Sequence, residues 1–139
     1  MTKKPQVGIG VLIFNDQHEL LLGKRAGSHG KLTYAPPGGH LEFGESLEAC
    51  TQREVLEETG LFVQNPEFLA ITNDVFAGEE KHYISIFMHV RLPLNQNVQN
   101  CEPHKTESWH WFPLSQLPSP LFLPLQQLLD QKGYGLGLY

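Results

Sequence analysis

The chain has 139 residues, a single-domain length able to bury a real core, so residues 1–139 are read as one unit. Its 10 Lys and Arg against 15 Asp and Glu give a net charge of −5, and with no basic run this excludes non-specific binding to a nucleic-acid polymer, which relies on cations at phosphates. Two cysteines, Cys50 and Cys101, give no disulfide framework, and no apolar run is long enough to span a bilayer, so a cytoplasmic protein with no membrane partner is expected.

The start, MTKKPQVGIGVLIF, leads straight into NDQHELLL and reads as a strand and turn rather than a signal peptide. Residues 7–14 form the first predicted strand, ended by the turn signal Asn15-Asp16, and residues 19–23 form its hairpin partner. Residues 26–31 are a glycine- and serine-bearing loop. Pro36, Pro37, Gly38 and Gly39 then impose an irregular backbone. Ser46 is a good N-cap and Gly60 a good residue after a C-terminus, so a helix of three to four turns lies between them. Ala49 and Leu56 are expected to turn toward a core. Residues 68–76 and 82–92 are two more strands; in the second, Tyr83, Ser85 and Phe87 share one face and Ile84, Ile86 and Met88 the other. Residues 94–104 read as a loop, 108–112 as a short strand and 122–132 as a final helix, with Pro124 tolerated near its start. Strands alternating with two helices predict a mixed α/β sandwich rather than a dinucleotide-binding fold, and a lone Gly8-x-Gly10 is too weak a fingerprint to change that.

The most informative stretch is Gly39 to Leu61, GHLEFGESLEACTQREVLEETGL. Glu54 and Glu58 are i and i+4, and Glu57 widens the acidic patch. Three carboxylates on the C-terminal half of a helix repel one another and oppose the helix dipole. A solvated acidic face would leave Arg53 beside them and the glycine pair before them unexplained. A bound hard cation such as Mg²⁺ explains both, and hard cations beside a loop point to phosphate chemistry. Cys50, on this helix, reads as a buried thiol rather than a nucleophile.

These residues match the Nudix box, GX5EX7REUXEEXGU with U aliphatic, at every specified position, and the chain resembles that hydrolase family. LLGKRAGSHG, PPGGHLEFGES, KHYISIFMHV and KTESWHWFPLSQLP extend the likeness to MutT-related nucleotide diphosphatases, in particular those acting on oxidised and thiopurine nucleoside triphosphates. The resemblance implies an α/β/α sandwich in which the box forms a loop-helix-loop against a mixed sheet. It implies Mg²⁺ as cofactor, with Mn²⁺ as a substitute, and a nucleoside triphosphate as substrate. It also suggests a homodimer, although no patch in the sequence specifies one.

The same resemblance places Glu54 and Glu58 as principal metal ligands, Glu57 beside them as ligand or base, and the Gly38 carbonyl in the metal shell. Gly39 and His40 are candidates to touch the nucleotide or a phosphate. Arg53 is expected to orient the acids and pair with Glu45. Lys24 and Arg25 are candidate phosphate contacts, Arg25 favoured for its planar donor fork. An acid beyond the box is implied near the metals; Glu107 is assigned, with Glu102 competing. Trp109 and Trp111 share a strand face and suit a core better than a base platform. Phe122 and Leu125 fall in a base-facing segment, where Pro124 replaces a glycine of the relatives and removes a main-chain donor.

The expected reaction is attack of a metal-activated water on a phosphorus, giving a nucleoside monophosphate and pyrophosphate, with a box carboxylate or Glu107 as base. Two alternatives remain: a hydrolase of nucleotide sugars or dinucleoside polyphosphates, and a non-catalytic ligand sensor. The proline common in ADP-ribose hydrolases about fifteen residues after the box is absent from Asp74–Gly78, and Tyr83 comes too late for the dinucleoside polyphosphate pattern. Sensors often lose box acids, and this chain keeps them all.

Overall fold

The computed structural model describes residues 3–138. Its elements are β1 (Gln6–Phe14), β2 (Glu19–Arg25), β3 (Tyr34–Ala35), β4 (Gly38–His40), α1 (Leu47–Thr59), β5 (Glu67–Phe76), β6 (Lys81–Arg91), β7 (Thr106–Pro113) and α2 (Leu123–Lys132), with 3₁₀ turns at Ala77–Glu79 and Leu114–Gln116. The strands form one mixed sheet ordered β3-β2-β1-β6-β5, with β4 also paired to β1 and β7 to β2. The central strand β1 runs parallel to β6 from Gln6↔Tyr83 to Phe14↔Arg91 and antiparallel to β4.

Strand alternation sorts the core into two layers. Ile9, Val11 and Ile13 of β1 meet Cys50 and Val55 of α1. Leu12 and Phe14 meet Leu125, Leu128 and Leu129 of α2. The two helices therefore cover opposite faces of the sheet, which is the expected α/β/α sandwich. Trp109 and Trp111 pack against the α1-side core. Among the described residues no helix is long and apolar enough to cross a membrane.

Two local expectations are corrected. The Pro-Gly stretch is not wholly irregular, because Gly38–His40 forms a strand against β1. A Cβ on Gly38 would collide with the Ile9 carbonyl, so only glycine lets β4 approach. In α1, Ala49 is exposed and Leu56 is 46% exposed, while Cys50, Thr51, Glu54, Val55, Glu58 and Thr59 are buried. The helix turns its carboxylates inward because β4 and Arg53 supply donors to them there; the apolar Leu56 is left outside.

Candidate active site

Helix α1 is fixed at both ends. Ser46 accepts from the Ala49 amide at 3.0 Å, and Gly60, at φ 75°, donates to the Leu56 carbonyl at 3.0 Å. Only a residue tolerant of the left-handed region ends the helix there without strain. Arg53 then ties the helix to the loop before it. Its Nε and Nη2 grip both Glu45 oxygens at 2.7 and 3.0 Å, and Nη2 also donates to the His40 carbonyl at 3.0 Å. Nη1 reaches Glu54 at 2.8 Å and Glu57 at 3.3 Å. The Arg53 fork holds Glu45 well down, to about 2.

Glu54 and Glu58 face β4. The Gly38 amide donates to Glu58 Oε2 at 2.8 Å, so it points away from the β1 ladder. The Gly38 carbonyl shares that side, because N–H and C=O of one residue in an antiparallel strand point the same way. A Cβ on Gly39 would collide with the Glu54 carboxylate. Burial pushes Glu58 up to about 8; the Gly38 hydrogen bond opposes this, and repulsion from Glu54 and Glu102 adds to it. Glu54 is raised as well, again chiefly by burial, with Arg53 opposing.

Among the described residues no three His, Cys, Asp or Glu side chains converge on one ready-made metal point. The donor set nonetheless suits a hard cation. Two buried carboxylates repel each other beside an inward-facing carbonyl, and Glu102 Oε1 is buried without a hydrogen-bond partner. Mg²⁺ is characteristically held by one or two carboxylates, with waters and substrate phosphates completing its shell. The residues fit that ion.

Glu54 and Glu58 line a cavity of about 480 Å³, within the range of small-ligand sites. Gly38, Gly39, His40 and Lys105 lie on its wall with them. Aromatic rings also line it, among them His29, Phe76, Tyr83 and Phe122, with Phe76 and Phe122 centroids 5.5 Å apart and His29 4.5 Å from Phe76. Arg25 lies over the Phe122 ring at 4.4 Å and donates from Nε to the His29 carbonyl at 2.8 Å. Burial lowers its pKa, and the charge of Glu58 counters this. His40 stacks on Tyr83 and shares a 3.0 Å hydrogen bond with its hydroxyl.

The fold thus gathers Arg25, Gly38, Gly39, His40, Glu54, Glu58 and Phe122 around one cavity. Other candidates lie elsewhere. Glu57, half exposed, is held by Arg53 outside the cavity wall. Lys24 alternates with Arg25 on β2 and does not line the cavity. Glu107 is exposed and does not line the cavity, although its neighbour Thr106 does; a bulge between β2 and β7 interrupts the alternation at this point. Leu125 is fully buried with Leu128 and Leu129, because the i, i+3, i+4 stripe of α2 points it into the core. Cys50 is buried, and that burial pushes its thiol up to about 12, which suits no nucleophile.

Sequence reasoning missed His29, Phe76, Ser85 and Lys105 as cavity residues. Tyr83, Ser85 and Phe87 were legible as one strand face, but nothing local marked it as the cavity face. His29 is held by Glu79 at 2.6 Å, a partner 50 residues away.

The NUDIX domain model matches residues 4–131. A solved MutT NUDIX hydrolase from Burkholderia pseudomallei superposes with a TM-score of 0.85 at 27% identity, covering 93% of this chain and 98% of that one. The NAD-capped RNA hydrolase NudC of Stutzerimonas stutzeri is 27% identical over 97% of this chain and 45% of its own length. An ADP-ribose pyrophosphatase of Methanocaldococcus jannaschii is 35% identical over 59% of this chain and 48% of its own length. The chain therefore spans less than half the length of these two curated relatives.

Proposed function

The chain belongs to the NUDIX domain family, and from that premise we propose that it hydrolyses nucleoside triphosphates to a monophosphate and pyrophosphate with a divalent cation, Mg²⁺ or Mn²⁺. The supporting observation is a single cavity that joins the buried pair Glu54 and Glu58 to the aromatic group His29, Phe76, Tyr83 and Phe122. One part of such a cavity suits a metal-bound polyphosphate and the other a flat base.

Glu54, Glu58 and the Gly38 carbonyl are the groups that would hold the cation. When bound, it polarises phosphoryl oxygens, offsets developing charge and lowers the pKa of a coordinated water. The protein supplies the rest. Arg25, anchored by His29 and Phe122, keeps a fixed guanidinium at the cavity wall for a phosphate oxygen. Lys105, on the same wall and paired with Glu102 Oε2 at 3.5 Å, adds an ammonium. Arg53 occupies one face of Glu54 and so fixes the direction of its free oxygen. Glu102 Oε1, buried with no donor of its own and close enough to Glu58 to repel it, is the acceptor we propose for the proton of the attacking water. In this role it stands in for Glu107, which is exposed. Phe122 and Phe76 stack the base, a contact that tolerates several bases.

A second reading is hydrolysis of a nucleotide diphosphate conjugate, favoured by the similarity to the NAD-capped RNA hydrolase and the ADP-ribose pyrophosphatase. A homodimer accompanies the first reading on the strength of the resemblance alone, and a cytoplasmic location on the expectation drawn from the sequence.

A panel of nucleoside triphosphates, ADP-ribose and dinucleoside polyphosphates with Mg²⁺ separates the readings. The expected result is pyrophosphate release from several triphosphates, with ¹⁸O from labelled water in the monophosphate. Orthophosphate with a nucleoside diphosphate overturns the bond assignment. ADP-ribose as by far the best substrate overturns the substrate class in favour of the second reading. Stable binding without turnover of any member points to a ligand sensor.

A further inference from the structure

Behind the cavity wall lies a buried acid that the proposed hydrolysis does not use. Asp74 on β5 is fully buried, and among the described residues no cation pairs with it. Its partners are three neutral donors. Thr72 Oγ1 and Ser85 Oγ donate to Oδ2 at 2.9 and 2.5 Å, and Gln127 Nε2 of α2 donates to Oδ1 at 2.5 Å. Gln127 is held in place by a second bond, to the Asn73 carbonyl at 2.9 Å. A buried carboxylate is a costly way to join two strands and a helix when apolar side chains pack there freely.

What the arrangement fixes is the polarity of Ser85. A serine hydroxyl has one hydrogen and two lone pairs. Here the hydrogen is committed to a carboxylate, and bonds to carboxylates outcompete those to neutral acceptors. Ser85 also lines the cavity, beside its β1 partner Gly8. Gly8 carries no side chain to cover it; a Cβ there would make ordinary contacts, 3.7 Å to Tyr83 Cδ1 and 3.8 Å to the Gly39 carbonyl. Ser85 Oγ therefore meets the cavity with lone pairs only.

We propose that Ser85 is a specificity-determining residue, held by Asp74 as an obligate acceptor that takes a hydrogen bond from an N–H or O–H of the bound nucleotide and rejects a carbonyl or bare ring nitrogen there. The inference rests on the cavity being the nucleotide site. The donor has two sources: an amino or ring N–H of the base, or a hydroxyl of the sugar.

The test pairs variants with analogues. Wild type and Ser85→Ala are compared on purine nucleotides that differ by one donor: with and without the 2-amino group, 6-amino against 6-oxo, and 2′-deoxy and 3′-deoxy forms. Both kcat/KM for the triphosphates and Kd of the monophosphates, by titration calorimetry, are read. Loss of one donor is expected to cost wild type about tenfold and Ser85→Ala less than about threefold; the analogue concerned identifies base or sugar as the source. Equal penalties in both proteins for every analogue overturn the proposal. Asp74→Asn adds a reversal. Gln127 holds an oxygen at the Oδ1 position, so the amide nitrogen falls toward Ser85, donates to it and frees its hydrogen for the cavity. The preference at that position should then invert toward an acceptor, and a folded Asp74→Asn protein with the wild-type order counts against it. If Asp74→Asn does not fold, the Ser85→Ala comparison decides alone. If no triphosphate is turned over, the proposed reaction fails while the Kd comparison still decides the role of Ser85.

Discussion

The amide of Gly38 donates to the carboxylate of Glu58 at 2.8 Å, joining strand β4 to the acidic helix across twenty residues of chain. This bond places a carboxylate, and an adjacent main-chain carbonyl, at the wall of the cavity. It also partly offsets the burial that pushes Glu58 up to about 8. The amide, the acid and the cavity behave as one unit, and the first prediction acts on it.

Glu58→Gln should fold and keep its acceptor for Gly38, yet lose at least ~100-fold in kcat/KM, because a neutral amide oxygen is a poor ligand for a hard cation. Without metal the variant should be the more stable protein at high pH. The native state of wild type holds a proton on Glu58 that the unfolded chain releases above about 4.5, so the stability this contributes is lost as pH rises toward about 8. Melting curves in EDTA between pH 5 and 9 check this: the two proteins should diverge with rising pH, and Mg²⁺ should restore wild type alone. Near-normal turnover of folded Glu58→Gln at low Mg²⁺ removes Glu58 from the metal set.

Glu45 carries the opposite dependence. Its folded pKa lies near 2, chiefly through the Arg53 hydrogen bonds, so its contribution is present above the usual value of 4.5 and is lost as pH falls from there toward 2. Glu45→Gln should lower the melting temperature at neutral pH and flatten the acid limb between pH 4.5 and 2. It should also impair turnover, since Arg53 loses the partner that steadies its grip on Glu54. Parallel acid limbs for the two proteins would show that the pair does not carry acid stability.

Arg25→Ala should raise KM for triphosphates, with smaller effects on substrates of lower phosphate charge. Its stability should fall by about 1 kcal/mol, because the His29 carbonyl loses its donor and Phe122 loses a stacked cation. Arg25→Lys separates the two effects, keeping the charge while losing the planar fork. Kinetics unchanged in both variants would return Arg25 to a structural role in closing the loop over Phe122.

The sequence by itself determined the acidic helix, its caps, the family and the layer order, since each rests on residues close along the chain. Ser46, Gly60 and the Glu54–Glu58 spacing are local signals. The alternation along residues 82–92 already sorted side chains into two faces. Only the tertiary structure decided which faces meet. Helix α1 buries carboxylates and leaves Leu56 exposed because β4 brings an amide donor to that side. Glu102 rather than Glu107 keeps a buried, unpartnered oxygen, because the loop before β7 buries the first while the second is exposed. Leu125 goes to the core and Phe122 to the cavity because α2 starts between them. The polarity of Ser85 depends on an aspartate from another strand and a glutamine from a helix, partners that come together only when the chain is folded.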